Sequence, residues 1–136
     1  MNALPTRFFA TAALFALAGM IWGVQMSATH DHTLAPAHGH LNLLGFVVMA
    51  VFGAYYALAP RAAASRIARV HFWLHTAMVI ILPFGIARAI TGQGEALAQI
   101  GSLAAIASML MFIYVVWRYR AGAGEQIDKA APLPAE

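Results

Sequence analysis

The chain has 136 residues, of which 62% are apolar and 10% are charged, against roughly 45–50% and about 25% in an ordinary soluble domain. So short a chain cannot bury that many apolar side chains in water, so these fractions exclude a disordered protein and disfavour a soluble globule. The absence of cysteine excludes disulfides, iron–sulfur clusters and thiol chemistry. The net charge of +3 reflects arginines that flank apolar segments, so no nucleic-acid partner is expected.

Four long segments without aspartate, glutamate, lysine or arginine follow one another, at 8–30, 32–60, 70–87 and 96–117. About 20 apolar residues in a helix cross a hydrocarbon core about 30 Å thick. An open strand would leave backbone groups unpaired in lipid, so helices are expected. The sequence therefore predicts an all-α integral membrane four-helix bundle, and the expected spans lie near 8–28, 39–59, 70–90 and 97–118.

The rest of the chain is assigned by composition. We expect residues 1–120 to form a single transmembrane domain and residues 121–136, which are small and polar, to form a flexible cytoplasmic tail. The alternative for residues 1–28 is a cleaved signal peptide with Arg7 as its charged region. The apolar stretch is long for a signal peptide, so a first membrane span is preferred.

Orientation follows from the distribution of lysine and arginine. These residues are concentrated in the N-terminus, the 60–69 connection and the C-terminal tail, whereas the connection at 29–38 has none. Because positive residues favour the cytoplasmic side, both termini are expected inside, in an N-in and C-in arrangement. The histidine-rich loop 29–38 is then expected on the periplasmic side of a bacterial inner membrane.

The six histidines are the main candidates for functional residues, since ionisable side chains within membrane spans usually mark function. Imidazole is also the commonest metal ligand among side chains. An outer group of four lies in the first connection and at the start of the second span, and an inner pair lies in the third span. The outer group is His30, His32, His38 and His40, and the inner pair is His71 and His75.

His38 and His40 are two residues apart and therefore face opposite sides of a helix. One would be a ligand within the membrane and the other would lie at the mouth of the site. His38 shares its stripe with Asn42, Gly45 and Gly53, and such small residues leave room for a neighbouring helix or a flat cofactor. The stripe of His40 is bulkier. Both histidines remain candidates.

His71 and His75 are one helical turn apart, so they can point at one centre. The alternative for His71 is an interfacial residue, and the alternative for His75 is a packing residue that hydrogen-bonds another helix. For His30 and His32 the alternative is a solvated loop. The outer and inner groups should lie about 20 Å apart along the membrane normal. Metal–nitrogen bonds are about 2 Å long, so one metal ion within one protomer cannot join the two groups.

The segment 37–44, Ala-His-Gly-His-Leu-Asn-Leu-Leu, resembles the second transmembrane helix of the catalytic subunit of haem–copper oxidases and nitric oxide reductases. Two later segments are similar to parts of the same family in the same order. They are Gly-Ala-Tyr-Tyr at 53–56 with Pro60 after it, and Phe-Trp-Leu at 72–74. The resemblance suggests that the four spans correspond to the first four helices of that subunit.

The resemblance implies that a histidine near the outer end of the second span binds a low-spin haem. The Ala-His-Gly form of the oxidases marks His38, and the His-x-Asn-Leu-Leu form of the nitric oxide reductases marks His40. The haem would be b-type, because no Cys-x-x-Cys-His attachment motif is present. The binuclear catalytic centre is not implied, since its ligands lie on later helices of that family, and those helices have no counterpart among these residues.

The expected function is therefore that of a membrane-bound b-type haem protein related to this family, in electron transfer or in binding NO or O₂. A homo-oligomer and a respiratory electron donor are the expected partners within the lipid bilayer, and a cytochrome-like haem protein is expected rather than a complete oxidase or reductase. The alternatives are a membrane protein that binds copper or another divalent ion, with Met26 and Met49 assisting Cu(I), and an accessory or assembly subunit. The candidate haem ligands are His38, His40, His71 and His75, and the candidate metal ligands are these four with His30 and His32.

Overall fold

The computed structural model describes residues 3–121, and within this range four long helices account for nearly all of the chain. The helices are α1 (Leu4–Thr29), α2 (Ala35–Leu58), α3 (Arg66–Ile90) and α4 (Ala96–Tyr119). Each is long and apolar enough to cross a membrane, and no strand occurs between residues 3 and 121. The prediction of an all-α integral membrane protein with four spans is confirmed. Residues 122–136, most of the predicted tail, lie outside the described residues.

The helices begin earlier than the predicted spans because local capping, rather than the edge of the hydrocarbon core, sets their starts. Proline occupies the first turn of both α1 and α2, where its missing N–H costs nothing. Ser65 caps α3, and its Oγ accepts a hydrogen bond from the backbone N–H of Ala68 at 3.2 Å. A single helical turn, Pro60–Ala63, links α2 to α3. Gly92 and Gly94 adopt φ values of 74° and 99° between α3 and α4, which glycine adopts at little cost.

α1 and α2 are antiparallel and pack through glycines. Proceeding along α1 from its start, the contacts run backwards along α2. They pair Phe8 with Gly53, Phe15 with Gly45, Gly19 with Asn42 and Gly23 with His38. Glycine at these positions lets the larger side chain of the other helix occupy the space of the missing Cβ.

α3 and α4 approach closely in the same way. A Cβ atom on Gly101 would lie 2.8 Å from Leu82 Cα, and one on Gly85 would overlap the backbone at Ala98. These two glycines therefore bring the backbones of α3 and α4 together. α3 is the central helix, since 44% of its span is buried against 17% of the spans of α1 and α4.

The two ends of the bundle differ in charge. α1 and α3 begin, and α2 and α4 end, at what we call the arginine-rich end. Its arginines are Arg7, Arg61, Arg66, Arg69, Arg118 and Arg120. An aromatic core that includes Phe8, Phe52, Tyr56 and Phe72 fills the interior near this end. Large apolar side chains on the outer faces stay exposed, as expected for helices in contact with lipid.

Candidate functional site

A chain of buried polar groups joins α2, α3 and α4. Tyr56 Oη lies 2.9 Å from His71 Nδ1, and His71 Nε2 lies 3.0 Å from Ser108 Oγ. Ser108 Oγ also lies 2.9 Å from His75 Nδ1, while His75 Nε2 lies 3.0 Å from the carbonyl oxygen of Leu44. All four side chains are 0–1% exposed. We call this set the buried chain.

The hydrogen positions in the buried chain follow from its partners. The carbonyl of Leu44 can only accept, so Nε2 of His75 carries a proton and donates it there. A neutral His75 then has a lone pair on Nδ1, to which the Ser108 hydroxyl donates. Ser108 Oγ in turn accepts from His71 Nε2–H. The remaining lone pair, on His71 Nδ1, accepts from the Tyr56 hydroxyl. Neutral imidazoles thus allow one arrangement, in which every polar hydrogen and every ring nitrogen is used.

The last acceptor of the buried chain lies in a distorted part of α2. Residues Leu43–Val48 have π-helical geometry, which is rare and is frequent at functional sites. The carbonyl of Leu44, which accepts from His75, belongs to this segment. Tyr56 and Leu44 are about 18 Å apart along α2 at 1.5 Å per residue. The buried chain therefore runs from the end of α2 to its middle, where it stops at a carbonyl that cannot pass a proton on.

The inner histidines do point at one centre, and that centre is the hydroxyl oxygen of Ser108. Both nitrogens of His71 and of His75 are engaged, so neither ring offers a free lone pair to a metal. His71 is fully buried rather than interfacial, and His75 bonds two other helices, as the packing alternative describes. Among the described residues, no group of three or more histidine, cysteine, aspartate or glutamate side chains is placed to hold a metal ion.

His38 connects α2 to α1. Its Nε2–H donates to the carbonyl oxygen of Gly19 at 3.0 Å, and its ring stands edge-on to Trp22 with the ring centres 5.9 Å apart. The side chain of Asn42 donates to the His38 carbonyl at 2.9 Å. The small residues on this stripe accommodate α1, so of the two occupants expected from the sequence, a neighbouring helix fills the space.

His40 lies on the opposite face of α2 and is exposed. Its Nδ1 lies 2.8 Å from the carbonyl oxygen of Pro36, one turn earlier. Since a carbonyl only accepts, Nδ1 carries the proton and Nε2 keeps its lone pair. Val47 and Val51, further along the same stripe, are 48% and 55% exposed. His40 thus presents an available nitrogen at the head of an exposed apolar face.

The remaining candidates lie in or beside the first connection. His30 and His32 are both exposed, as the solvated-loop alternative describes. Hydrogen bonds from Thr33 lower the pKa of the Asp31 carboxyl between them, and the backbone bond is 2.9 Å long. Met26 and Met49, whose sulfurs were expected to assist Cu(I), are 8% and 0% exposed. The structure does not gather these groups into one site.

Sequence reasoning missed Ser108 and the role of Tyr56. Ser108 follows Gly101 by two helical turns on the small-residue face of α4, and it is the polar member of that face. No sequence pattern links Tyr56 to His71, because the two residues meet only when α2 packs on α3. The small residues on one face of α4 were a usable signal for Ser108, whereas no local pattern indicates that Tyr56 bonds His71.

No family model, no curated protein and no solved structure matches this chain.

Proposed function

We propose that this protein is a membrane-bound b-type haem protein with His40 as an axial ligand, acting in electron transfer or in the binding of a diatomic gas such as NO or O₂. One observation carries the proposal. The Nδ1–H of His40 donates to the carbonyl of Pro36, and the ring, which is exposed near the start of α2, keeps the lone pair of Nε2.

The residues present fit one axial position of a haem. A ligating histidine typically donates its second ring N–H to a carbonyl or carboxylate, which fixes the ring and raises the basicity of the ligating nitrogen. His40 has this arrangement with the outermost nitrogen, Nε2, left for a ligand. His38 has the reverse arrangement, in which Nε2–H donates to Gly19 and only Nδ1, which lies next to the backbone, keeps a lone pair. Both ring nitrogens of His71 and of His75 are already hydrogen-bonded. The geometry therefore favours His40 over the other three candidates.

A haem bound at His40 would lie on the outer face of α2. Leu43, Val47 and Val51 are 55%, 48% and 55% exposed there and would shield the macrocycle from water. His38 lies on the opposite face of α2, and His71 and His75 have both ring nitrogens engaged, so we propose that a second copy of the chain supplies the other ligand, or that this position binds the gas. When bound, the haem supplies one-electron chemistry and gas ligation.

The membrane orientation belongs to the same proposal. Six arginines lie at one end of the bundle, and positive residues favour the cytoplasmic side. We propose a bacterial inner membrane location in which His40 lies at the periplasmic side, where a respiratory electron donor would reach it.

The test is a visible spectrum of the protein purified in detergent after expression with sufficient haem. We expect a Soret band, with sharp α and β bands after reduction by dithionite. His40→Ala should abolish the bands, while His38→Ala should retain them, and His32→Ala serves as an exposed control. Circular dichroism of each variant establishes that the helices remain.

Two outcomes would refute the proposal. A protein that stays colourless in the presence of haem has no haem site, and copper or zinc found by elemental analysis would then favour the metal-binding alternative. Bands that survive His40→Ala but vanish in a helical His38→Ala would show that the argument from ring hydrogen bonds is wrong.

A further inference from the structure

We propose that the arginine-rich end of the bundle contains a binding site for the phosphate group of an anionic phospholipid. A cavity of about 200 Å³ lies between the turn that follows α2 and the end of α4. Its lining consists of Arg61, Arg118, Tyr119 and Arg120. This inference is independent of the proposed haem.

The end of α4 is shaped so that two arginines share this cavity. Arg118 and Arg120 are two residues apart, and on a continuous helix they would point to opposite sides. The helix ends at Tyr119, and Arg120 adopts φ 39°, a left-handed conformation that is uncommon outside glycine. This change of direction places both arginines on one cavity. Conformations of this kind are concentrated at ligand-binding positions.

The cavity has three like charges and lacks a nearby counter-charge in the described part of the chain. The carboxylates between residues 3 and 121 belong to Asp31 and Glu95, and both lie at the opposite end of the helices. A helix of 24 residues is about 36 Å long, far beyond the screening length of about 8 Å at physiological ionic strength. These three guanidinium groups therefore have no carboxylate partner among the described residues and can receive an anion. Phosphate suits them, because the planar guanidinium group binds phosphate oxygens in pairs.

The position of the cavity favours a lipid over a free anion. Trp117 and Tyr114, on the last turns of α4, are 79% and 53% exposed, and Leu58 at the end of α2 is 68% exposed. Tryptophan and tyrosine are enriched at the level of the lipid headgroups, and basic pockets between transmembrane helices bind lipid headgroups. Acyl chains would lie along these apolar side chains. Inorganic phosphate has the same charge but no acyl chains, so these apolar side chains would not stabilise its binding.

The test is a native mass spectrometry titration of the full chain in detergent. The probes are phosphatidylglycerol, diacylglycerol with the same acyl chains but no phosphate, and inorganic phosphate as a competitor. We expect phosphatidylglycerol to bind in preference to diacylglycerol, and millimolar phosphate to leave it bound. Arg61→Gln and Arg118→Gln should each weaken phosphatidylglycerol binding about fivefold. Arg66→Gln removes the same charge from the same end but outside the cavity, and should change binding less than twofold.

Three results would overturn the inference. An equal loss in Arg66→Gln and Arg118→Gln would show a general attraction to a positive surface. Displacement of phosphatidylglycerol by inorganic phosphate would assign the cavity to a soluble anion. Unchanged binding in both cavity variants would show that the arginines are balanced by other groups, among them the carboxylates that the sequence places after residue 121.

Discussion

Replacing Ser108 with alanine should destabilise the bundle more than any other loss of a single hydroxyl in the described residues. The Ser108 hydroxyl accepts from His71 Nε2–H and donates to His75 Nδ1. Ser108→Ala therefore leaves one donor and one acceptor unpaired at positions that are 0–1% exposed. Each unsatisfied buried group costs about 1–3 kcal/mol, whereas hydrogen bonds between transmembrane helices average about 0.6 kcal/mol. Two broken links therefore bracket the loss at about 1–6 kcal/mol, and the complete burial favours the upper half of that range.

The assay is equilibrium unfolding in mixed micelles of increasing SDS fraction, followed by circular dichroism. Ser102→Ala is the matched control, because Ser102 is exposed on the same helix and its hydroxyl bonds only the carbonyl of Ala98 within that helix, at 2.8 Å. We expect Ser108→Ala to unfold at a clearly lower SDS fraction than Ser102→Ala. Equal midpoints for the two variants would refute the buried chain as a stabilising contact between helices.

Three further predictions use the same assay. Tyr56→Phe removes one link of the buried chain instead of two, so its loss should be about half that of Ser108→Ala; a larger loss would contradict the assigned hydrogen positions. Gly101→Ala should destabilise because its Cβ would lie 2.8 Å from the α3 backbone, whereas Gly39→Ala, which meets nothing within 4 Å, should stabilise by about 0.4–1 kcal/mol; the opposite order would show that the α3–α4 approach is not tight. Asp31 has a lowered pKa when folded, so the stability it contributes is present above its ordinary value of 3.8 and is lost as the pH falls through the lowered pKa. Wild type and Asp31→Asn should accordingly differ at neutral pH and converge in acid, and a gap that persists in acid would contradict this.

The number and order of the helices were predictable because the signal is compositional. Charged residues interrupt the apolar sequence at a few positions, and each uninterrupted segment is long enough to cross a bilayer. The first three helices start about one turn before the predicted spans, since prolines and Ser65 determine where the backbone becomes helical, whereas α4 starts one residue before its predicted span. The grouping of the histidines into an outer set and an inner pair also followed from these spans.

The state of each histidine ring was not predictable, because it depends on atoms far away in the sequence. The sequence placed His71 and His75 on one face, but Ser108 and Leu44 arrive there only through the packing of α4 and α2. Likewise, His38 and His40 were equivalent candidates in the sequence. They differ in the fold because α1 covers one face of α2 and brings the Gly19 carbonyl to His38.

The sequence by itself determined that this protein is a helical membrane protein with four spans and a strong asymmetry of positive charge, since both properties depend on composition along the chain. Only the tertiary structure decided which imidazole nitrogens are available. Hydrogen bonds act over about 3 Å, and the packing of four helices sets those distances. That packing engages both nitrogens of the two inner rings, ties His38 to α1, and leaves the Nε2 of His40 free on the outer face of α2.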